Sequence, residues 1–478
     1  MERAHRGVQP PHGSAGVVLS QAPALRCTGC GWVSPADAPY PFRCRNADAG
    51  DDCDHLLVPA PPAASVTGQP ASARLAWVSD PDASQPFVRF RGRLWAYAFA
   101  RARGVGDTEF VDRVARLDAA VALVDGRGLR VTPLVAPAAL NARCAPPAGV
   151  VWVKDETTQP GGSHKARHLF GLSLTLGLLE RTGLASRAES DRRGLAIASC
   201  GNAALAAAIL ARAEQRPLRV FIPVDADPVV VAQLRALAAE VIVCPRRPGE
   251  HGDPCMLAFR AAVRSGAIPF CCQGSENGLT LEGGRTLGFE IAEALAREGR
   301  PLDRIFVQVG GGALASSCWQ ALREGVALGA LPRLPRLHAV QTDSGWPLRR
   351  AWEQVQARLG EGWSPAATLA HAATHRSQYM WPWESAPASI AHGILDDETY
   401  DWLAVVAGML EAGGFPVTVS EERLGEAQVL ARATTPIRAD ATGTAGLAGL
   451  LESERRGELQ TAEAVAVLFT GAERAPNP

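Results

Sequence analysis

From Val150 onward, short apolar runs alternate with longer stretches whose apolar residues recur every three or four positions. The first pattern predicts buried strands and the second predicts helices packed on them by one face. Strands are expected at Gly194–Ala198, Leu218–Ile222, Glu240–Cys244, Ile268–Cys272, Ile305–Val309 and Leu337–Gln341. Helices are expected at Ala166–Leu179, Ala203–Glu214, Val230–Ala239, Gly284–Glu298 and Ala315–Leu328. Strands separated by helices of this length pair in parallel through right-handed crossovers, so the class is α/β. Ligands in such sheets bind beyond the carboxyl ends of the strands, where turns feed helix N-termini.

The N-terminal part differs. Residues 1–24 and 56–75 are dominated by Pro, Ala, Gly and Ser and read as a tail and a linker around a small Cys-rich module. This divides the chain into 1–75 and 76–478. Cys27-Thr-Gly-Cys30 has the tight-turn spacing at which two thiolates share one zinc ion, and Cys44 and Cys53 complete a C-x2-C-x13-C-x8-C pattern. A structural zinc on Cys27, Cys30, Cys44 and Cys53 is the expectation, with His55 as the alternative to Cys53. Eleven cysteines, an odd number, argue against a disulfide framework.

A net charge of −1 leaves no electrostatic footprint for nucleic acid or an anionic membrane. No apolar run approaches the roughly 18 residues of a spanning helix, and the N-terminus lacks a signal core. A cytoplasmic protein is expected. Among 48 basic residues only Lys154 and Lys165 are lysines, so amine chemistry has two candidates. Lys154 stands beside Asp155 and Glu156, which predicts ion pairing. Lys165 follows Gln159-Pro160-Gly161-Gly162-Ser163-His164 at a helix start. A helix start disfavours an ammonium ion, and a free amine is what Schiff-base chemistry needs.

Two further motifs sit between a strand and a helix. Ser199-Cys200-Gly201-Asn202 offers successive N–H groups, a hydroxyl and an amide, a set suited to a substrate carboxylate. Cys200 has no histidine at a partner position, which argues against a nucleophile. Gly310-Gly311-Gly312-Ala313-Leu314 lets the backbone wrap an anion but has neither the P-loop Lys-Ser/Thr nor G-x-G-x-x-G spacing. A single phosphate fits it better than a nucleotide.

In this order the motifs resemble those of fold-type II pyridoxal-phosphate enzymes, the tryptophan synthase β-like group, and most closely its threonine synthase and threonine dehydratase branch. The resemblance spans about Val131 to Gly471 and includes Thr132-Pro133-Leu134, Gly162-Ser163-His164-Lys165-Ala166-Arg167, the Asn277–Glu290 segment and Leu468-Phe469-Thr470-Gly471. It implies two open, mostly parallel sheets flanked by helices, arranged as two interleaved subdomains. It also implies pyridoxal 5′-phosphate on Lys165 as a Schiff base, with the phosphate on Gly310–Leu314. Asn202 would meet the cofactor's 3′-oxygen, Ser199, Cys200 and Gly201 the substrate carboxylate, and Thr470 the pyridine nitrogen. The Cys-rich start is similar to the zinc-ribbon-like start of some threonine synthases. His164 and Ala313 depart from the threonine-type pattern, which carries Phe and Gly there.

The resemblance implies β-elimination or β-replacement on a small amino acid through an aminoacrylate-type intermediate, with a homodimer expected. Threonine or serine ammonia-lyase chemistry is favoured over a threonine synthase, because Thr280 stands where an arginine for the phosphate of O-phosphohomoserine is expected. Arg285 is the residue that could compensate. The departures at His164, Cys200 and Ala313 keep open a catalytically silent partner subunit. Trp381, Trp383 and Trp402 are candidates to shape the substrate side, against ordinary packing. With eight residues after Thr470, no separate regulatory domain is expected there.

Overall fold

The computed structural model describes residues 24–60, 75, 77–247, 249–385 and 387–474. Residues 1–23 of the expected tail and 61–74 of the expected linker lie outside them. Twelve strands form three sheets among the described residues. The first is a small hairpin of β1 (Leu25–Cys27) and β2 (Leu57–Pro59), paired antiparallel with Cys27 opposite Leu57. The expected linker therefore begins later than residue 56.

A six-stranded sheet forms the larger layer. It contains β3 (Leu134–Val135), β4 (Val150–Asp155), β9 (Arg304–Gln308), β10 (Arg336–Thr342), β11 (Val417–Val419) and β12 (Ala464–Phe469). Its order is β11-β10-β9-β12-β4-β3, parallel except for the β3–β4 edge pair. A four-stranded parallel sheet, ordered β7-β6-β5-β8, contains β5 (Leu195–Ala198), β6 (Leu218–Ile222), β7 (Glu240–Val243) and β8 (Ile268–Pro269). Helices cover both sheets, as strands buried on both faces require: every residue of β5, β9 and β12 is buried.

The expected strand at Ile268–Cys272 stops at Pro269, which has no N–H to give a ladder; the Phe270 N–H then bonds the Ala196 carbonyl. Helix Lys165–Arg181 is buried from Ala166 through Leu179. It crosses helix Thr280–Glu298 at Gly283, where a Cβ would fall 2.1 Å from the Arg167 carbonyl oxygen. Glycine is what permits that approach.

Lys154 departs from its expected partners. Successive strand residues face opposite sides, so Lys154 turns away from Asp155. Its amine reaches the Glu290 carboxylate at 2.5 Å and donates to the Thr132 carbonyl at 2.6 Å. Glu290 also receives Arg167 at 2.6 Å, and Arg167 reaches Glu156 at 2.6 Å. All four charged groups are buried. The Cys-rich module packs directly on the larger region: the Gly278 N–H donates to the Phe42 carbonyl, and a Cβ on Gly278 would overlap the Leu57 carbonyl. Among the described residues, no helix is long and apolar enough to cross a membrane.

Candidate active site

The carboxyl ends of β5, β6, β9 and β12 open onto one cavity of about 620 Å³. Lys165, Ser199, Cys200, Gly201, Asn202, Gly310, Gly311, Gly312, Ala313, Leu314 and Thr470 all line it. Every residue expected on the cofactor or the substrate carboxylate is thus in one place.

Each is set by its own element. Gly161 and Gly162 adopt positive φ, turning the chain after β4 so that Lys165 opens its helix. Lys165 is the only lysine on the cavity wall, because Lys154 is held in the ion-pair network. After β9, Gly312 takes φ +94° and starts helix Ala313–Ala327, so loop N–H groups face the cavity at a helix N-terminus. Asn202 begins helix Asn202–Ala213 and accepts a bond from Arg474 through its Oδ1.

Thr470 follows β12, and its Oγ1 accepts from the Gln308 amide at 2.6 Å. The same nitrogen lies 2.9 Å from the Gly443 carbonyl and 3.1 Å from that of Thr442, which fixes the nitrogen end of the amide there. The Thr470 hydroxyl hydrogen is consequently free for another acceptor. His164 donates from Nδ1 to the Thr470 carbonyl at 3.2 Å, and its Nε2 is buried without a partner. Burial, reinforced by Lys165, holds the His164 imidazole neutral well below the usual histidine range.

Several lining residues had no sequence signal. Asp396 and Asp397 lie in an irregular stretch that closes the cavity with Trp383, His392 and Leu395. The Asp396 carboxylate leans on the glycine loop, with the Gly311 N–H turned toward it; a Cβ on Gly310 would fall 2.3 Å from its Oδ2. Burial pushes the Asp396 carboxyl up to about 7, against the pull of Lys165. Burial, with Asp253 nearby, takes Asp397 to about 6. Gln273 also lines the cavity and is buried, and its Oε1 has no partner. Of the three tryptophans, Trp383 alone is on the wall. Trp381 packs under Arg350, and Trp402 stacks on Tyr379 in the core. Arg285 is tied to Glu282 at 2.6 Å and to Glu324, and neither it nor Thr280 reaches the cavity wall.

In the N-terminal module, the ligand atoms of Cys27, Cys30, Cys44 and His55 lie within 4.8 Å of one another. Cys53 is not in that set. A bend at Asp51–Asp52, with the Cys53 carbonyl accepting from the His55 N–H, carries His55 rather than Cys53 inward.

An α/β fold with a ligand-sized cavity at the carboxyl ends of its strands is the class this geometry defines. The chain belongs to the pyridoxal-phosphate dependent enzyme family, whose pattern matches residues 127–471. A threonine synthase from Methanosarcina acetivorans is 26 % identical over 322 residues, 67 % of this chain and 69 % of that protein. An L-threonine dehydratase from Haemophilus influenzae is 27 % identical over 187 residues, 39 % of this chain and 32 % of that protein. The solved L-serine ammonia-lyase of the fungus Rhizomucor miehei has a TM-score of 0.53 at 19 % identity, covering 72 % of this chain and 94 % of that one; the likeness is one of fold.

The residues fit the cofactor. The Gly311 N–H is already turned toward a carboxyl oxygen, that of Asp396, so this loop offers a backbone donor to an acceptor oxygen. The one cavity lysine, the Asn202 amide and a hydroxyl with a free hydrogen complete a donor set for phosphate, carbonyl and ring nitrogen.

Proposed function

We propose that the protein catalyses pyridoxal-phosphate-dependent β-elimination on threonine or serine, releasing a 2-oxo acid and ammonia, or the allied β-replacement. The observation that carries this reading is the convergence of Lys165, Ser199–Asn202, Gly310–Leu314 and Thr470 on one cavity. Bound there, the cofactor supplies an electron sink for the carbanion at the substrate's Cα. Lys165 would hold its carbonyl carbon and, once released, take the Cα proton. Ser199, Cys200 and Gly201 would orient the substrate carboxylate. The Thr470 hydroxyl, turned by Gln308, would donate to the pyridine nitrogen without protonating it. The β-hydroxyl would leave with one proton as water, Lys165 would retake the cofactor's carbonyl carbon, and the freed product would take up water to give the oxo acid and ammonia. The neutral His164 ring, with Nε2 unpartnered, borders Lys165 and can accept a hydrogen bond.

The charges on the wall also support a substrate with an uncharged β-substituent. Asp253, Asp396 and Asp397 stand there, and Arg285 is committed elsewhere. One feature favours a second reading, threonine synthase-like action on O-phosphohomoserine: Arg246 is exposed on the same wall. Oxo-acid release from threonine and serine, measured beside phosphate release from O-phosphohomoserine, separates the two. Oxo acid without phosphate release is expected. Phosphate release with no oxo acid from either hydroxy amino acid overturns the preferred reading.

A further inference from the structure

Outside this cavity, the module around β1 and β2 gathers soft ligands. Cys30 Sγ and Cys44 Sγ are 3.6 Å apart, and Cys27 Sγ is 3.6 Å from His55 Nδ1. A disulfide needs about 2.05 Å, so the cysteines are not joined. Sulfurs around one tetrahedral zinc, each about 2.3 Å from it, stand roughly 3.8 Å apart, close to what is found. The N–H groups of Gly29 and Cys30 are directed at the Cys27 sulfur, and the Asn46 amide at that of Cys30. Donors aimed at sulfur suit thiolates. The other nitrogen of His55, Nε2, meets the Asp51 carboxylate at 2.8 Å. A carboxylate behind a ligating imidazole fixes its tautomer and orientation, leaving Nδ1 to bind metal.

We propose that Cys27, Cys30, Cys44 and His55 bind one structural zinc ion, and that this ion fastens the wall of the cofactor cavity. The path runs through the residues beside His55. Asp54 is buried, accepts from Trp402 Nε1 at 3.2 Å, and pairs with Arg376 at 3.3 Å. Its N–H donates to the Ala373 carbonyl at 2.8 Å. Arg376 continues to Glu398 at 3.1 Å. Asp401, next to Trp402, donates its N–H to the Gly311 carbonyl at 2.9 Å and accepts from the Gly274 N–H at 3.1 Å. His55 is thus linked, through Asp54 and Trp402, to the glycine loop and to the segment bearing Asp396 and Asp397. All four ligands come from one short stretch and leave no exchangeable position, as in closed structural sites; none of them lines the cavity.

The test measures metal by mass spectrometry on the purified full chain, beside cofactor affinity from an absorbance titration. Wild type should carry about one zinc per chain. His55→Ala and Cys30→Ser should lose it, Cys53→Ser should keep it, and His55→Cys should restore a competent ligand set. Circular dichroism confirms that each variant compared is folded. In His55→Ala, cofactor affinity should fall about 5-fold or more, the lower end of coupling between linked sites. Zinc retained by His55→Ala, or lost equally from Cys53→Ser, overturns the ligand set. Unchanged cofactor affinity in zinc-free His55→Ala overturns the fastening. Neither readout depends on which reaction the enzyme catalyses.

Discussion

Replacing Glu290 with Gln tests how the structure holds Lys165, the lysine proposed to carry the cofactor, in place. Glu290 is buried and is the shared partner of Lys154, at 2.5 Å, and Arg167, at 2.6 Å. Burial would raise its carboxyl, but Arg167 and Lys154 outweigh that and hold it below the ordinary range. With Glu156 the four groups carry two positive and two negative charges, a neutral buried set. Glu290→Gln keeps the shape and the acceptor for the Thr132 N–H, yet leaves one uncompensated positive charge. Breaking a buried pair on one side costs about 3–5 kcal/mol. That is two to more than three orders of magnitude in the unfolding equilibrium. Urea unfolding of apo protein, followed by tryptophan fluorescence, should show the midpoint falling at unchanged slope. Glu290→Gln combined with Lys154→Met returns the set to neutrality and should recover most of the loss. Because Arg167 lies two residues beyond Lys165 on the same helix, the single variant should also bind cofactor more weakly. A loss below about 1 kcal/mol, or a double variant no better than the single one, would refute the reasoning.

Asp396→Asn probes the carboxylate against the glycine loop. Its native value of about 7 lies above its ordinary 3.8, so the protonated form is favoured in the fold. The stability this confers is fully present below about pH 4 and is lost as pH rises toward 7. Asn stays neutral, so the melting temperature of the apo variant minus that of wild type should climb between pH 4 and 7 and then level off; a flat difference contradicts the assignment. Gly310→Ala places a Cβ 2.3 Å from Asp396 Oδ2 and 3.0 Å from the Ile394 Cα. Overpacking of this kind costs about 1–3 kcal/mol, and a urea midpoint equal to that of wild type would argue against the close packing of this loop.

Much of the architecture was legible in the chain because it is written locally. The strand expected at Leu218–Ile222 has those limits in the structure, and the helix expected at Ala166–Leu179 runs Lys165–Arg181. Lys165, Asn202 and the glycine loop could be found because each follows an apolar strand and opens a helix, and β-α turns leave that mark. The contacts that were not legible join residues far apart in the chain. Nothing near Lys154 announces Glu290, since pairing across two elements depends on how a sheet and a helix pack. Asp396 and Asp397 belong to a stretch without hydrophobic periodicity, so the chain offers no reason to aim them at the cavity. Gln308 ends a fully buried strand, where its neighbours suggest only core. At His55 the spacing of cysteines pointed to Cys53, and a bend of a few residues decided otherwise.

Lys165 is proposed to hold pyridoxal 5′-phosphate in this cavity, and the rarity of lysine makes the test of that role direct. Holoenzyme is reduced with borohydride, digested, and searched by mass spectrometry for a phosphopyridoxyl-modified lysine. The account predicts one modified peptide, carrying Lys165, and none after Lys165→Ala. Modification at Lys154, whose amine is occupied by Glu290 and the Thr132 carbonyl, or a wild-type protein that takes up no cofactor, would contradict it.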